Sequence, residues 1–221
     1  SRMVLEQLEQ LDRQGIRGGL FEIGFGSGTL LEQAAQAGHR VGGLEVAGQL
    51  YHTACVKIPT ASRENMRLGG LLDVDLDALR GTFSVAYWND VFEHIPVDEI
   101  GDYLERIRSL LVPGGVLITL TPNWHMRPMD VTGDHLPPRS TAIGFHLKEY
   151  TLNEVHALLQ KAGFARISTP NFVSLRRIYW RNSCELTPLK LAIEPYLEWL
   201  PYKLAVQCCR RLGFTCTVAY T

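Results

Sequence analysis

A doubly wound α/β fold with a mostly parallel sheet is predicted by three observations. Apolar strand-like runs and helix-periodic segments alternate from residue 18 to about residue 170, the pattern of a sheet with helices on its faces. The first apolar run, LFEI, passes directly into three glycines in five positions, Gly24, Gly26 and Gly28, ahead of a helical stretch. A later run, TFSVAYWND, is apolar almost throughout, as a strand covered on both faces must be.

The elements follow in order. MVLEQLEQLDRQG spaces Leu5, Leu8 and Leu11 three apart and stops at Gly15, a short amphipathic helix. GGLFEIG is the first strand, and TLLEQAAQAG is a helix stopped by Gly38. HRVGGLEV is the second strand, QLYHTACVKI a helix, and NMRLGGLL a short third strand before the acidic loop DVDLD. After the fourth strand, VDEIGDYLERIRSLL sets Ile100, Leu104, Ile107 and Leu111 on one helical stripe. It stops at Pro113-Gly114-Gly115, and VLITLTP is the fifth strand. A loop rich in Pro, His and Asp covers Asn123 to His146; then Thr151 and Glu154 make a capping box for the helix TLNEVHALLQKAG. ARISTP is a further strand.

From Asn171 the pattern changes. Arg176, Arg177 and Arg181 stand beside Tyr179 and Trp180, and proline-broken helices run from Leu186 to Gly213. FTCTVAY alternates as a closing strand. The expected organisation is one domain over 1–221. It has an N-terminal helix (1–17), a core (18–170), a helical insertion that caps an acceptor (171–213) and the closing strand (214–221).

The chain has 221 residues, 46% hydrophobic and 20% charged, enough apolar material for a substantial core. Its formal charge of −1 supplies no global field for bulk nucleic-acid binding. The five cysteines lack CxxC spacing, which points to reduced thiols in a cytoplasmic protein rather than zinc or disulfides. No signal-peptide pattern is present, and no apolar run approaches the ~20 residues of a membrane span.

A glycine turn between strand and helix either permits a tight bend or lets a ligand approach the backbone and the helix N-terminus. The dinucleotide fingerprint is G-x-G-x-x-G, and its third glycine falls here at Thr29. The phosphate-loop Lys-Ser/Thr is missing too. Glu45, closing the second strand, is placed to accept both hydroxyls of a ribose, from a nicotinamide nucleotide or another adenosine-containing ligand.

With FEIGFGSG, Glu45, FSVAYWNDVFEHI, LLVPGGVLITLTPN and HLKEYTLNEVHALLQKAGF in this order, the chain resembles the class I S-adenosylmethionine-dependent methyltransferases over residues 18 to 170. It is similar to the small-molecule group that includes ubiquinone-biosynthesis O-methyltransferases. The resemblance implies a Rossmann-like seven-stranded sheet with the last strand antiparallel, S-adenosylmethionine as cofactor and S-adenosylhomocysteine as product. It places Glu22, Gly24, Gly26 and Gly28 around the donor's methionine portion, Glu45 on the ribose, and Asn89 near the donor's amino group with Asp90 beyond. An adenine-binding Asp after the third strand is replaced by Gly69-Gly70-Leu71-Leu72. Adenine then falls to the backbone around Leu71 and Leu72, or to Asp73.

The acceptor expected is a small molecule methylated on oxygen, ahead of nitrogen or carbon. His125, Asp134, His135 and His146 lie in or beside the long loop, and an unperturbed histidine titrates at about 6.5, suited to a general base. His94 and His146 are the preferred catalytic pair. Asp90, Glu93 and His94 resemble the E-x-x-E-H set that binds a divalent metal in some O-methyltransferases; the metal-free reading is preferred. LRRIYWR could grip an anion or a membrane surface, and the segment 186–212 could form a homodimer contact. The competing reading is a silent donor-binding module or partner subunit, with a methyltransferase of RNA ends or lipids, and a nicotinamide-dependent reductase, behind it.

Overall fold

In the computed structural model, which describes residues 2–173, 179–183 and 186–221, the alternation is realised. α1 (Arg2–Arg13) buries Met3, Val4, Leu8 and Leu11; of the three spaced leucines Leu5 is only half-buried, and Val4 takes its place on the stripe. Then come β1 (Leu20–Ile23), α2 (Thr29–Gln36), β2 (Val41–Glu45), α3 (Gly48–Lys57), β3 (Met66–Leu68) and β4 (Phe83–Asn89). β4 is buried at every position but Asn89. α4 (Ile100–Leu110) leads without a break into β5 (Leu111–Leu120). Leu111, expected on the helical stripe, therefore opens the strand, and that strand runs on through Pro113-Gly114-Gly115 with Gly114 at φ 79°.

α5 (Leu152–Lys161), β6 (Arg166–Val173), β7 (Tyr179–Ser183), α6 (Thr187–Ile193), α7 (Tyr202–Arg211) and β8 (Cys216–Tyr220) complete the chain. The strand order is β3-β2-β1-β4-β5-β8-β6-β7. β1 pairs in parallel with β2 (Leu20 opposite Val41) and with β4 (Leu20 opposite Val85). The expected seven strands are β1–β6 and β8. The Thr121 N–H donates to Thr215 O, and the Thr221 N–H to Gly115 O. The numbering descends along β8 as it ascends along β5, which makes the last strand antiparallel. β7 is an eighth, added antiparallel to β6 with Thr169 opposite Ser183. Arg176 and Arg177 of the arginine–aromatic segment, and Cys184, lie outside the described residues.

Two compact units emerge from the contacts, one of residues 1–89, 102–118 and 220–221, the other of 90–101 and 119–219. The second is built on Met126, Leu152, Leu197, Cys209 and Phe214. The capping box is present there: the Thr151 hydroxyl accepts from the Glu154 N–H at 3.1 Å, and Glu154 Oε2 accepts from the Thr151 N–H at 2.8 Å. A second device is long-range. Buried Glu194 accepts from the Leu152 N–H, from the Asn153 N–H and Nδ2 at 2.8 and 2.7 Å, and from Asn123 Nδ2 at 2.8 Å. One carboxylate thus serves the donors that the start of α5 would leave orphaned. Glu194→Ala is expected to destabilise the chain by about 3 kcal/mol, read as a lower urea midpoint; an unmoved midpoint would remove Glu194 as the cap.

Among the described residues no helix is long and apolar enough to cross a membrane.

Candidate active site

In the first unit the site begins where β1 ends. Gly24, Gly26 and Gly28 have φ of 69°, 54° and 74°, the left-handed region that glycine enters without a Cβ penalty. A Cβ on Gly28 would lie 2.6 Å from Ala54 Cβ, so α2 and α3 also need that hydrogen. Around Gly26 nothing comes within 4 Å of that position, and the backbone there is open to approach. Glu45 holds the turn: Oε2 accepts from the Gly26 N–H at 2.8 Å and Oε1 from the Ala47 N–H at 2.9 Å. Each oxygen keeps further acceptor capacity.

Glu22, on β1, is 8% exposed, and its Oε2 has no hydrogen-bond partner among the described residues. Burial pushes its carboxyl up to about 8, and the charge of Glu45 adds to the rise. A buried unpaired carboxylate is costly, and that cost is what holds the proton on Glu22. Gly43 is a position that motif reading missed: a Cβ there would stand 2.4 Å from Glu22 O. The paired glycines inside a strand pattern were the available signal.

Leu71 is buried, while Leu72 and Asp73 are exposed. The Asp73 carboxylate folds back over Gly70, whose Cβ would meet Oδ2 at 2.5 Å. Asn89 is the exposed end of β4. Asp90 follows at φ 53°, its N–H donating to Leu120 O.

The second unit gathers the acid–base groups. Glu93 and His94 sit on the short 3-10 turn Phe92–His94. Glu93 is fully buried, its Oε2 accepts from the Thr121 hydroxyl at 3.0 Å, and burial pushes its carboxyl upward. His146 Nδ1 lies 2.8 Å from Glu149 Oε1, and its Nε2 lies 3.9 Å from Glu93 Oε1. Carboxylates and carbonyls accept, so Nδ1 of His146 donates to Glu149. His94 Nδ1 likewise donates to Phe145 O at 2.9 Å. The two imidazoles stand 5.0 Å apart at 73°.

Asp130 and Thr132 fix the strand of loop that carries His146. Asp130 Oδ2 accepts from the Phe145 and His146 N–H groups at 2.8 and 3.3 Å, and Oδ1 from the Thr132 N–H. Burial works against these bonds, yet those from Thr132, His146 and Phe145 pull the Asp130 carboxyl down to about 2. The Thr132 hydroxyl accepts from the Ile143 and Gly144 N–H groups at 3.0 Å.

A family model described as a methyltransferase domain matches residues 4–169. The chain belongs to the methyltransferase domain family. No curated protein sequence matches this methyltransferase. Its fold is that of solved S-adenosylmethionine-dependent methyltransferases. One from Archaeoglobus fulgidus is 15% identical, with TM-score 0.58 over 100% of this chain and 94% of that one. The geranyl diphosphate C-methyltransferase of Streptomyces coelicolor is 16% identical, with TM-score 0.57 over 99% and 76%. The 1,6-didemethyltoxoflavin-N1-methyltransferase of Burkholderia thailandensis is 18% identical, with TM-score 0.53 over 100% and 77%.

Within the methyltransferase's long loop the four sequence candidates separate. Asp134 and His135 are exposed. His125 is buried against Glu198 at 3.0 Å, and Arg127 grips the same carboxylate with two bonds of 3.0 and 2.7 Å while lying 3.8 Å over the Trp124 ring. Hydrogen bonding from Arg127 holds Glu198 down at about 2. That network ties the loop to the segment Glu194–Trp199, and only His146 joins the acid–base group. The metal-competent set also differs from the less favoured alternative of Asp90, Glu93 and His94. Among the described residues, the three whose ligand atoms all lie within 4.8 Å of one another are Glu93, His94 and His146, because the fold returns the loop to the turn after β4. Glu149, Asp130 and Thr132 were missed; His146 and Glu149, three apart outside a helix, formed no recognised motif.

Proposed function

We propose that this methyltransferase moves a methyl group from S-adenosylmethionine to an oxygen of a small-molecule acceptor, with His146 as the general base. The reading is carried by one observation: His146 is oriented through Nδ1 by Glu149, leaving Nε2 as the basic atom beside Glu93 and His94. A carboxylate that fixes the tautomer of an imidazole and stabilises its protonated form is the arrangement by which proteins make histidine a base.

The donor's sulfonium supplies an electrophilic methyl group, so the protein's task is to position an acceptor and take its proton. The residues present fit the donor. Gly24, Gly26 and Gly28 offer open backbone, Glu22 an orphaned buried carboxyl for an ammonium group, and Glu45 spare acceptor capacity for ribose hydroxyls. Asn89 and Asp90 at the end of β4, and Leu71, Leu72 and Asp73 after β3, would complete the donor contacts. Glu45→Ala is expected to weaken S-adenosylhomocysteine binding by about 1–3 kcal/mol. Calorimetry would show it, and unchanged affinity would sink the ribose role.

The direct test is methyl turnover from labelled donor against phenols, sugars, lipids and RNA ends. Transfer to a hydroxyl compound supports the reading; S-adenosylhomocysteine binding without turnover on any acceptor supports a silent module. NAD(H) binding in place of S-adenosylhomocysteine would overturn both.

A second reading is favoured by the Glu93–His94–His146 group, whose carboxylate and two imidazoles suit a divalent cation. Chelation separates the two. Turnover that survives it is expected for the base reading; loss, with recovery on adding Mg²⁺ or Mn²⁺, would assign the three residues to a metal.

A further inference from the structure

Segment 186–199, which forms α6 and the short 3-10 helix Glu194–Trp199, is amphipathic in an inverted sense. Thr187, Lys190, Glu194 and Leu197, spaced three, four and three apart, are the buried stripe, and three of these four are polar. Leu186, Leu189, Ile193, Tyr196 and Trp199 are the exposed stripe, with Leu189 57%, Tyr196 60% and Trp199 82% exposed. No exposed position in the segment carries a charge.

The segment's own charges hold it in that orientation. Lys190 Nζ donates to Thr169 O and Pro170 O of β6 at 3.3 and 3.2 Å. Glu194 caps α5, and Glu198 is gripped by Arg127 and His125. Turning the apolar stripe inward would strand these buried partners without hydrogen bonds.

Three features say what covers the stripe. Its extent is small: it runs about 20 Å and is one helix wide, short of the ~800 Å² per partner that a standard protein interface takes. Its chemistry is a ridge of Leu and Ile ending in Tyr196 and Trp199, whose rings stand 5.8 Å apart at 88°. Amphipathic rings of this kind settle between lipid headgroups and acyl chains. Its surroundings are basic. Residues 171–221 hold seven Lys or Arg against three Glu in a chain of net charge −1, and α7 leaves Lys203, Arg210 and Arg211 exposed. A two-fold contact with a second copy sets that basic region against itself, whereas an anionic lipid surface complements it.

We propose that this methyltransferase docks on an anionic lipid surface through the exposed stripe of segment 186–199, which lies in the plane of the bilayer interface. The proposal stands apart from the acceptor's identity and from the role of His146.

The test is flotation of the whole chain with vesicles of phosphatidylcholine, alone or mixed with phosphatidylglycerol. Binding to the mixed vesicles is expected, weaker to the neutral ones and weakened by salt. Tryptophan emission should shift to the blue on binding, and Trp199→Phe should remove the shift. Leu189→Ser and Trp199→Ser, both at exposed positions, should each lower binding about tenfold while leaving the urea midpoint in place. No flotation with the mixed vesicles would overturn the proposal, as would flotation that both serine variants keep or a blue shift that survives Trp199→Phe. A dimer in light scattering that the serine variants dissociate, without flotation of the parent, would assign the stripe to a second copy instead.

Discussion

His146→Ala is expected to lower methyl transfer about 100- to 10,000-fold, the range of a positioned general base, with S-adenosylhomocysteine affinity unchanged. Two features of the site make the effect large. Glu149 fixes Nδ1 as the donor, so the basic Nε2 is oriented before any acceptor arrives. The Asp130 bonds to the Phe145 and His146 N–H groups hold the ring's backbone in place. Asp130→Asn supplies the control: it leaves the base in the chain and disturbs only its placement. A moderate loss of rate, smaller than that of His146→Ala, is expected. A variant at position 146 that keeps the parent's rate and pH profile would exclude His146 as the base.

Glu22→Gln is expected to make the chain more stable in mild alkali and poorer at binding donor. The carboxyl lies at about 8 in the folded chain against an ordinary 4.5, so between those limits the folded state holds a proton that the unfolded state has lost. Unfolding free energy therefore falls as pH rises through that window. At about 1.4 kcal/mol per pH unit the full span corresponds to at most about 5 kcal/mol. Near the acid end both forms are neutral and the two proteins should melt alike. At about pH 8 the glutamine variant should melt higher. Donor binding supplies the opposite sign: an ammonium beside Glu22 favours its charged form, so parent affinity for S-adenosylhomocysteine should rise with pH across the window, and the variant should lack that slope. Coincident melting curves at both ends of the range would show that Glu22 is not held protonated.

These two residues differ in how visible they were. Glu22 was placed through the resemblance carried by FEIGFGSG, a contiguous motif in which it stands two residues before the first glycine of the turn. His146 was preferred with His94 over His125 and His135 from its place at the end of the loop, but no spacing in the sequence pointed to its partners. The distinction came from partners far along the chain: Glu93 for His146, Glu198 for His125, solvent for His135.

The sequence by itself determined what depends on neighbours within a few residues. The strand–helix alternation, the left-handed glycines at 24, 26 and 28, the capping box of α5 and the buried run of β4 are all local consequences of side-chain period and backbone freedom. Tertiary structure alone decided what depends on return of the chain: β8 entering between β5 and β6, the edge strand β7 in a segment without alternation, Glu194 over the start of α5, and the meeting of Glu93 with His146. Such contacts are set by packing and by the need to satisfy buried polar groups, and those demands leave no fixed spacing in the sequence.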